Sequence, residues 1–370
     1  MIYLDSAATS FLKPPSVRQA MLGAMQHMTS PGRGGHRLAM AAAETVYRCR
    51  KEAAALFHME DASRVVFTMN ATHALNIAIR SIVKPGDAVV ISGWEHNAVT
   101  RPLHAVGAKL RIARGRLFDP ESVLDAYRKA LPGAKAAICT HVSNVFGFVL
   151  PVEEIAALCR DAGVPLIVDA AQSAGVLDVD FGKLGAAFIA MPGHKGLLGP
   201  QGTGLLLCGE DGAPLLCGGT GSNSREQAMP EMLPDRHEAG THNVPGIAGL
   251  AAGLEYVTPR RQRIEAIEME RLRQLIAGLR RIDDLELFYD PEAQSQCGVL
   301  SLRSRSVDSE TLAERLGGRG IAVRGGLHCA PLAHESADTL GTGTVRLSLS
   351  PFLSPREIDA AAAVMWDILH

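Results

Sequence analysis

Between residues 64 and 210 the chain alternates short apolar runs with longer stretches of helical period. The runs cover 65–68, 88–92, 109–113, 136–141, 166–169, 187–191 and 204–208, and they are rich in β-branched residues. Helix-period segments such as 74–83 and 153–162 separate them. A strand covered on both faces shows an unbroken apolar run. The alternation therefore predicts βαβ units and an α/β fold with a mostly parallel, seven-stranded sheet. Turn residues agree: Lys84-Pro85-Gly86-Asp87 and Asp161-Ala162-Gly163-Val164-Pro165 each precede a predicted strand.

Residues 209–245 are polar and rich in Gly, Pro and Ser, which predicts a long loop region. Loops of that length are often functional. A long helical stretch follows from 245 to about 279, passing through Gly249, Gly253 and Pro259 before it becomes charged. Short strands at 299–302, 321–324 and 345–349, with helices at 309–316 and 355–369, predict a smaller C-terminal α+β domain. The boundary falls near residue 255. The length agrees, because 370 residues exceed what one core usually holds.

Composition narrows the classes. Apolar residues are 47% and charged residues 21%, the balance of a globular chain. A net charge of -2 gives no reason to expect a nucleic-acid partner. No apolar run approaches 18 residues, so no membrane span is expected. No basic and apolar leader opens the chain. Seven cysteines are scattered with no C-x-x-C pair, which fits a reducing, cytoplasmic setting and no zinc ribbon. No metal site is expected.

The candidate chemistry sits where strands end, because ligands of open α/β sheets bind beyond the carboxyl ends of the strands. Five predicted strand ends deliver polar groups: Asn70-Ala71-Thr72, Glu95-His96-Asn97, Ser143-Asn144, Asp169 with Gln172, and His194-Lys195. Thr72 opens a helix, whose free amides suit a phosphate, or it is simply a cap. His96 is a turn residue, a proton relay or a ring to stack on. Asp169 is a helix cap or the partner of a protonated ring nitrogen. Lys195 lies among glycines and apolar residues, where an amine can lose its charge and become nucleophilic. Cys329 lies in the Gly-flanked loop Arg324-Gly325-Gly326-Leu327-His328-Cys329, where His328 and Arg324 could favour a thiolate. Arg346, on a predicted strand, could grip a carboxylate with two hydrogen bonds or form an ordinary ion pair.

Taken together and in order, the motifs resemble a known family. Tyr3-Leu4-Asp5-Ser6-Ala7-Ala8-Thr9, Phe67-Thr68-Met69-Asn70-Ala71-Thr72, Glu95-His96-Asn97, His141-Val142-Ser143-Asn144, Val168-Asp169-Ala170-Ala171-Gln172-Ser173 and Gly193-His194-Lys195 are similar to the class V aminotransferase fold. Glu238-Ala239-Gly240-Thr241-His242-Asn243 and Gly326-Leu327-His328-Cys329-Ala330 continue the match nearly to the end. The His328-Cys329-Ala330 element resembles the SufS-like branch of the cysteine desulfurase and selenocysteine lyase family.

The resemblance implies pyridoxal 5'-phosphate (PLP) and a fold type I architecture. A large domain would span 15–255, and a small domain 1–14 with 256–370 would carry the cysteine loop. Lys195 would be the Schiff-base lysine, His96 would stack on the pyridine ring, and Asp169 would pair with its nitrogen. Gln172 would bond the phenolic oxygen. Ala71, Thr72 and His194 would hold the phosphate, and Thr241 would reach the phosphate of a partner subunit in a homodimer. Asn144 and Arg346 would hold the substrate amino acid. His328 would line its pocket, and so would His36 in the loop Arg33-Gly34-Gly35-His36-Arg37. Cys329 would take sulfur from L-cysteine, leaving L-alanine, and pass it to an acceptor protein. Two departures stand out: Pro192 replaces a serine that relatives often carry, and Ala71-Thr72-His73 replaces the usual Thr-Thr-Glu. L-Selenocysteine cleavage or another PLP-dependent lyase or aminotransferase reaction is the nearest rival. A non-catalytic scaffold of the same fold, or a Cys/His hydrolase, is the rival from another class.

Overall fold

The computed structural model describes residues 1–32 and 34–370. The N-terminal segment forms β1 (Ile2–Tyr3), α1 (Pro15–His27) and α2 (Arg37–Leu56). An alternating series follows: β2 (Val65–Thr68), α3 (Ala71–Ile82), β3 (Ala88–Ser92), α4 (Asn97–Val106), β4 (Lys109–Ala113), α5 (Pro120–Ala130), β5 (Ala136–Thr140) and α6 (Val152–Asp161). It closes with β6 (Leu166–Asp169), α7 (Phe181–Leu184), β7 (Phe188–Pro192) and β8 (Gly204–Cys208). Then come α8 (Val244–Val257), α9 (Arg261–Leu279), β9 (Leu285–Phe288), β10 (Val299–Ser304), α10 (Ser309–Gly318) and β11 (Ile321–Ala322). The chain ends with β12 (Arg324–Gly326), α11 (Pro331–Ser336), β13 (Thr344–Ser348) and α12 (Pro355–Leu369).

The large sheet has the order β2-β8-β7-β6-β5-β3-β4. Strand β8 runs antiparallel to both its neighbours and the other pairings are parallel, so six strands share one direction. Successive side chains point to opposite faces of a strand. Val66, Val89, Ile91, Ile138, Ile167 and Phe188 accordingly pack with α3 and α4 on one face. Their neighbours Val65, Val90, Cys139, Val168 and Ile189 face a second core with α5, α6 and α8. Each fully buried side chain of this size contributes roughly 1.5–3 kcal/mol. This double burial is why the strands read as unbroken apolar runs.

A second, antiparallel sheet has the order β12-β13-β10-β9. Helices α9, α10 and α12 cover it, and its core includes Leu272, Leu302, Leu347 and Ile358. The N-terminus joins this core: β1 pairs with β11, and Leu4 is fully buried there. Residues 5–10 are thereby held between the two sheets.

Several elements differ from the sequence expectation. The helical stretch 245–279 is broken at Thr258–Arg260 into α8 and α9. Pro259 lacks an amide hydrogen and clashes with the preceding turn. The strand expected at 321–324 is two strands, β11 on β1 and β12 on β13. Helices α1 and α2 and strand β9 were not expected. Among the described residues, no helix is long and apolar enough to cross a membrane.

Candidate active site

Because β2, β3, β5, β6 and β7 are parallel, their carboxyl ends open on the same edge of the sheet. Asp169 ends β6 at 3% exposure, and its Oδ1 accepts a hydrogen bond from the Ala171 amide at 2.9 Å. Burial raises its pKa, opposed by that hydrogen bond and by Lys195. Lys195 follows β7 in a glycine-rich loop. A Cβ on Gly193 would lie 2.2 Å from Thr203 Oγ1, and one on Gly196 would lie 2.4 Å from the Ala174 carbonyl. Only glycine lets this loop approach so closely. Burial lowers the Lys195 pKa to about 8, with Asp169 opposing and Arg346 and Arg324 adding to the effect. Roughly one molecule in ten then carries a neutral amine at pH 7, against well under one in a thousand for a free lysine.

His96 caps α4, and its Nδ1 accepts from the Ala98 amide at 3.0 Å. Burial, then Lys195 and Arg346, lowers its pKa to about 4, so the ring is neutral at pH 7. The turn before it is held by Glu95, which is fully buried. Glu95 Oε1 accepts from Ser92 Oγ at 2.5 Å and from the Thr140 amide at 2.8 Å. His194 Nδ1 lies 3.0 Å from Thr9 Oγ1, and the His194 carbonyl accepts from the Ser10 amide at 2.9 Å. Burial also lowers the His194 pKa to about 4. Gln172 Nε2 donates to the Ala7 carbonyl at 3.0 Å. At the start of α3, Asn70 Oδ1 accepts from the His73 amide at 2.9 Å, beside buried Ala71 and exposed Thr72. The first amides of a helix have no partner within it.

A second group ties the two sheets together. Arg346, 2% exposed, donates to the Asn144 carbonyl at 2.9 Å and to Asp5 Oδ1 at 2.7 Å. Asn144 Nδ2 donates to the His328 carbonyl at 2.9 Å. Next in the chain, Cys329 is exposed, and its carbonyl accepts from the Asn97 amide at 2.8 Å. His328 and Cys329 both take left-handed backbone angles, with φ of 50° and 57°. The loop therefore turns sharply, and Cys329 shares a groove with Thr72, His96, Asn97 and Arg101.

Some expectations are not met within one chain. A charged His328 beside the thiol does not fit: burial, then Arg346, pushes its pKa to about 2. Its Nε2 instead lies 3.1 Å from the Thr344 carbonyl. Thr241, whose expected role is toward a partner subunit and not this chain's own site, lies in a separate groove with Phe67, His73 and Glu238. His36 is exposed and caps α2. Arg33, in the same loop, lies outside the described residues. Glu95, Asp5 and Thr9 had no assigned role although their motifs were visible. Their importance comes from burial and from partners far along the chain, such as Arg346 for Asp5.

The family model for aminotransferase class V matches residues 2–361. A probable cysteine desulfurase of Methanothermobacter thermautotrophicus is 33% identical, covering 99% of this chain and 94% of that one. One of Pyrococcus abyssi is 31% identical, covering 100% and 94%. The solved apo structure of a cysteine desulfurase from Thermococcus onnurineus superposes with a TM-score of 0.91 at 32% identity, covering 100% and 94%. The fold and the site define a PLP-dependent enzyme of fold type I. The chain belongs to the class V aminotransferase family, in its cysteine desulfurase group.

The residues present fit that cofactor. A buried carboxylate, a neutral imidazole, an amine with lowered proton affinity and a helix N-terminus suit a protonated ring, an aldehyde and a phosphate.

Proposed function

We propose that this protein is a cysteine desulfurase that converts L-cysteine to L-alanine and leaves a persulfide on Cys329. The observation that carries the reading is the placement of Cys329, exposed in one groove with Thr72 and His96. Asp169 would pair with the ring nitrogen of PLP, His96 would stack on the ring, and Gln172 would bond the phenolic oxygen. Ala71, Thr72 and His194 would hold the phosphate. When bound, the cofactor supplies an electron sink for charge developing at the substrate Cα. Lys195 would anchor it and move protons at the substrate Cα. Arg346 and Asn144 would hold the substrate amino acid, with Arg346 on its carboxylate and His328 at the pocket wall. The Cys329 thiolate attacks the substrate sulfur. The new S–S bond forms as the Cβ–S bond breaks, the electron pair goes to the carbon side, and protonation there completes the alanine methyl. Atoms balance with no outside oxidant.

We further assign residues 15–255 to the cofactor domain, and 1–14 with 256–370 to the smaller one. The burial of Leu4 in the second core supports this division. A homodimer fits the position of Thr241 outside its own chain's groove, and the exposed Leu22, Met25, Met40 and Tyr47 on α1 and α2. The persulfide then passes to an acceptor protein. Seven free cysteines support a reducing cytoplasm.

The test is turnover by purified protein reconstituted with PLP. L-Cysteine should yield alanine and sulfide. Cys329→Ala should keep the cofactor's visible absorption and lose sulfide release. Full desulfuration by that variant refutes the persulfide role, and turnover of L-selenocysteine alone moves the assignment to a selenocysteine lyase.

A further inference from the structure

The His328–Cys329 turn is a strained piece of backbone. Neither residue is glycine, yet both lie in the left-handed region, with φ of 50° and 57°. Such a residue costs on the order of 1–3 kcal/mol and persists only where its surroundings fix it. Asn144 and Asn97 hold the two carbonyls of the turn, and Thr344 holds the His328 ring. One further residue lies behind it.

His334, on α11, is fully buried at 0% exposure. Its ring stacks on the His328 ring, with centroids 5.7 Å apart and planes 30° apart. Phe146 packs on the same ring at 5.8 Å. His334 Nδ1 lies 2.8 Å from Oγ1 of Thr339, which is also fully buried. The backbone closes the same unit. The His334 amide donates to the Ala330 carbonyl at 3.3 Å, and the Thr339 amide donates to the His334 carbonyl at 2.9 Å. The Gly343 amide then donates to the Thr339 carbonyl at 2.8 Å, just before Thr344 opens β13. His334 therefore links the residue after Cys329 to the strand that carries Arg346. A phenylalanine would stack on His328 without the cost of burying two ring nitrogens. Burial lowers the His334 pKa to about 4, opposed by the backbone at Thr339 and Leu327, so the ring is neutral. A neutral imidazole offers one donor and one acceptor, and Nδ1 spends one of them on Thr339.

We propose that His334 is a positioning residue for the Cys329 thiol, holding the left-handed His328–Cys329 turn through its stack on His328 and its bond to Thr339. The inference rests on the reading of Cys329 as the sulfur acceptor. Being fully buried, His334 acts through His328 and the loop, and not on substrate. Attack on the substrate sulfur needs the thiolate aligned with the Cβ–S bond and within about 3–3.5 Å. A displacement of about 1 Å costs roughly a hundredfold in rate. Proton transfer at the substrate Cα depends on Lys195 and does not use the thiol. The two steps should therefore separate when the support beneath the turn is weakened.

Two rates of the PLP-loaded enzyme test this. Persulfide on Cys329 in a single turnover with L-cysteine, quenched and read by mass spectrometry, reports the attack of the thiol. Exchange of the Cα proton of L-alanine in D2O reports the cofactor site without sulfur chemistry. His334→Phe keeps the stack and removes the bond to Thr339. Thr339→Val removes the same bond from the other side and leaves the histidine in place. Each should slow persulfide formation about tenfold or more and leave exchange within about twofold of wild type. Thr339→Ser keeps the hydroxyl and should restore most of the rate. Persulfide formation within about twofold of wild type in either His334→Phe or Thr339→Val, or equal losses in both rates, overturns the proposal. A wild type that forms no persulfide on Cys329 refutes the desulfurase reading and this inference with it, an outcome distinct from unchanged variants of an active wild type.

Discussion

Replacing Glu268 by Gln should make the apoprotein's stability less sensitive to alkali, and the size of the effect follows from burial. The carboxyl moves from an ordinary 4.5 to about 8 on folding, first through burial and second through Glu265. Each pKa unit is worth about 1.36 kcal/mol, so the full linkage is roughly 5 kcal/mol. At 8% exposure, solvent screens little of it. The sign follows from which state keeps the proton. Between the two pKa values the unfolded chain has released it and the folded chain has not. The contribution is therefore complete below the unfolded value and is lost as pH rises through the folded one. Wild type should lose about 1.4 kcal/mol per pH unit, relative to Glu268→Gln, between about pH 5 and 8. Glutamine keeps the shape and cannot ionise, and other titrating groups cancel in the comparison. Urea unfolding of both apoproteins at about pH 5.5, 6.5 and 7.5 reads the difference. Parallel pH slopes for the two proteins would refute the buried-acid reasoning.

Two further outcomes are expected. Asp5→Ala leaves the Arg346 guanidinium buried without its carboxylate, which should lower stability by roughly 3–5 kcal/mol in urea unfolding. An unchanged midpoint would contradict the ion pair. Native alkylation with iodoacetamide, mapped by mass spectrometry, should label Cys217 and Cys329 first, since both are exposed. Cys49, Cys139, Cys159, Cys208 and Cys297 are buried with thiol pKa values pushed up, so they should react only on unfolding. Early labelling of any of them would count against the packing described.

The large sheet was readable because burial on both faces removes polar residues from its strands. Val65 and Val66 face different cores, and both must be apolar. The direction of β8 was not readable, since an apolar run looks the same either way along the chain. Helices α1 and α2 escaped notice because exposed Leu22, Met25, Met40 and Tyr47 blur the contrast between their faces. Asp169 and Lys195 stood out because they lie at or just beyond strand ends, where chain order and site position coincide.

Glu268 shows where that coincidence fails. In sequence it belongs to a charged helical run with Glu265, Glu270 and Arg271, which reads as a solvated face. Its burial is decided by a contact 30 positions on. A Cβ on Gly298 would lie 2.9 Å from Glu268 Oε2, so the absence of a side chain there lets the carboxyl lie against the start of β10. Helical period places Glu268 on the same side as Ile264 and Leu272, both buried. The pattern therefore points a carboxylate inward at a position where an apolar residue is expected. A charged residue on the apolar stripe of a helix, with a glycine opposite, is the kind of local inconsistency that functional sites carry.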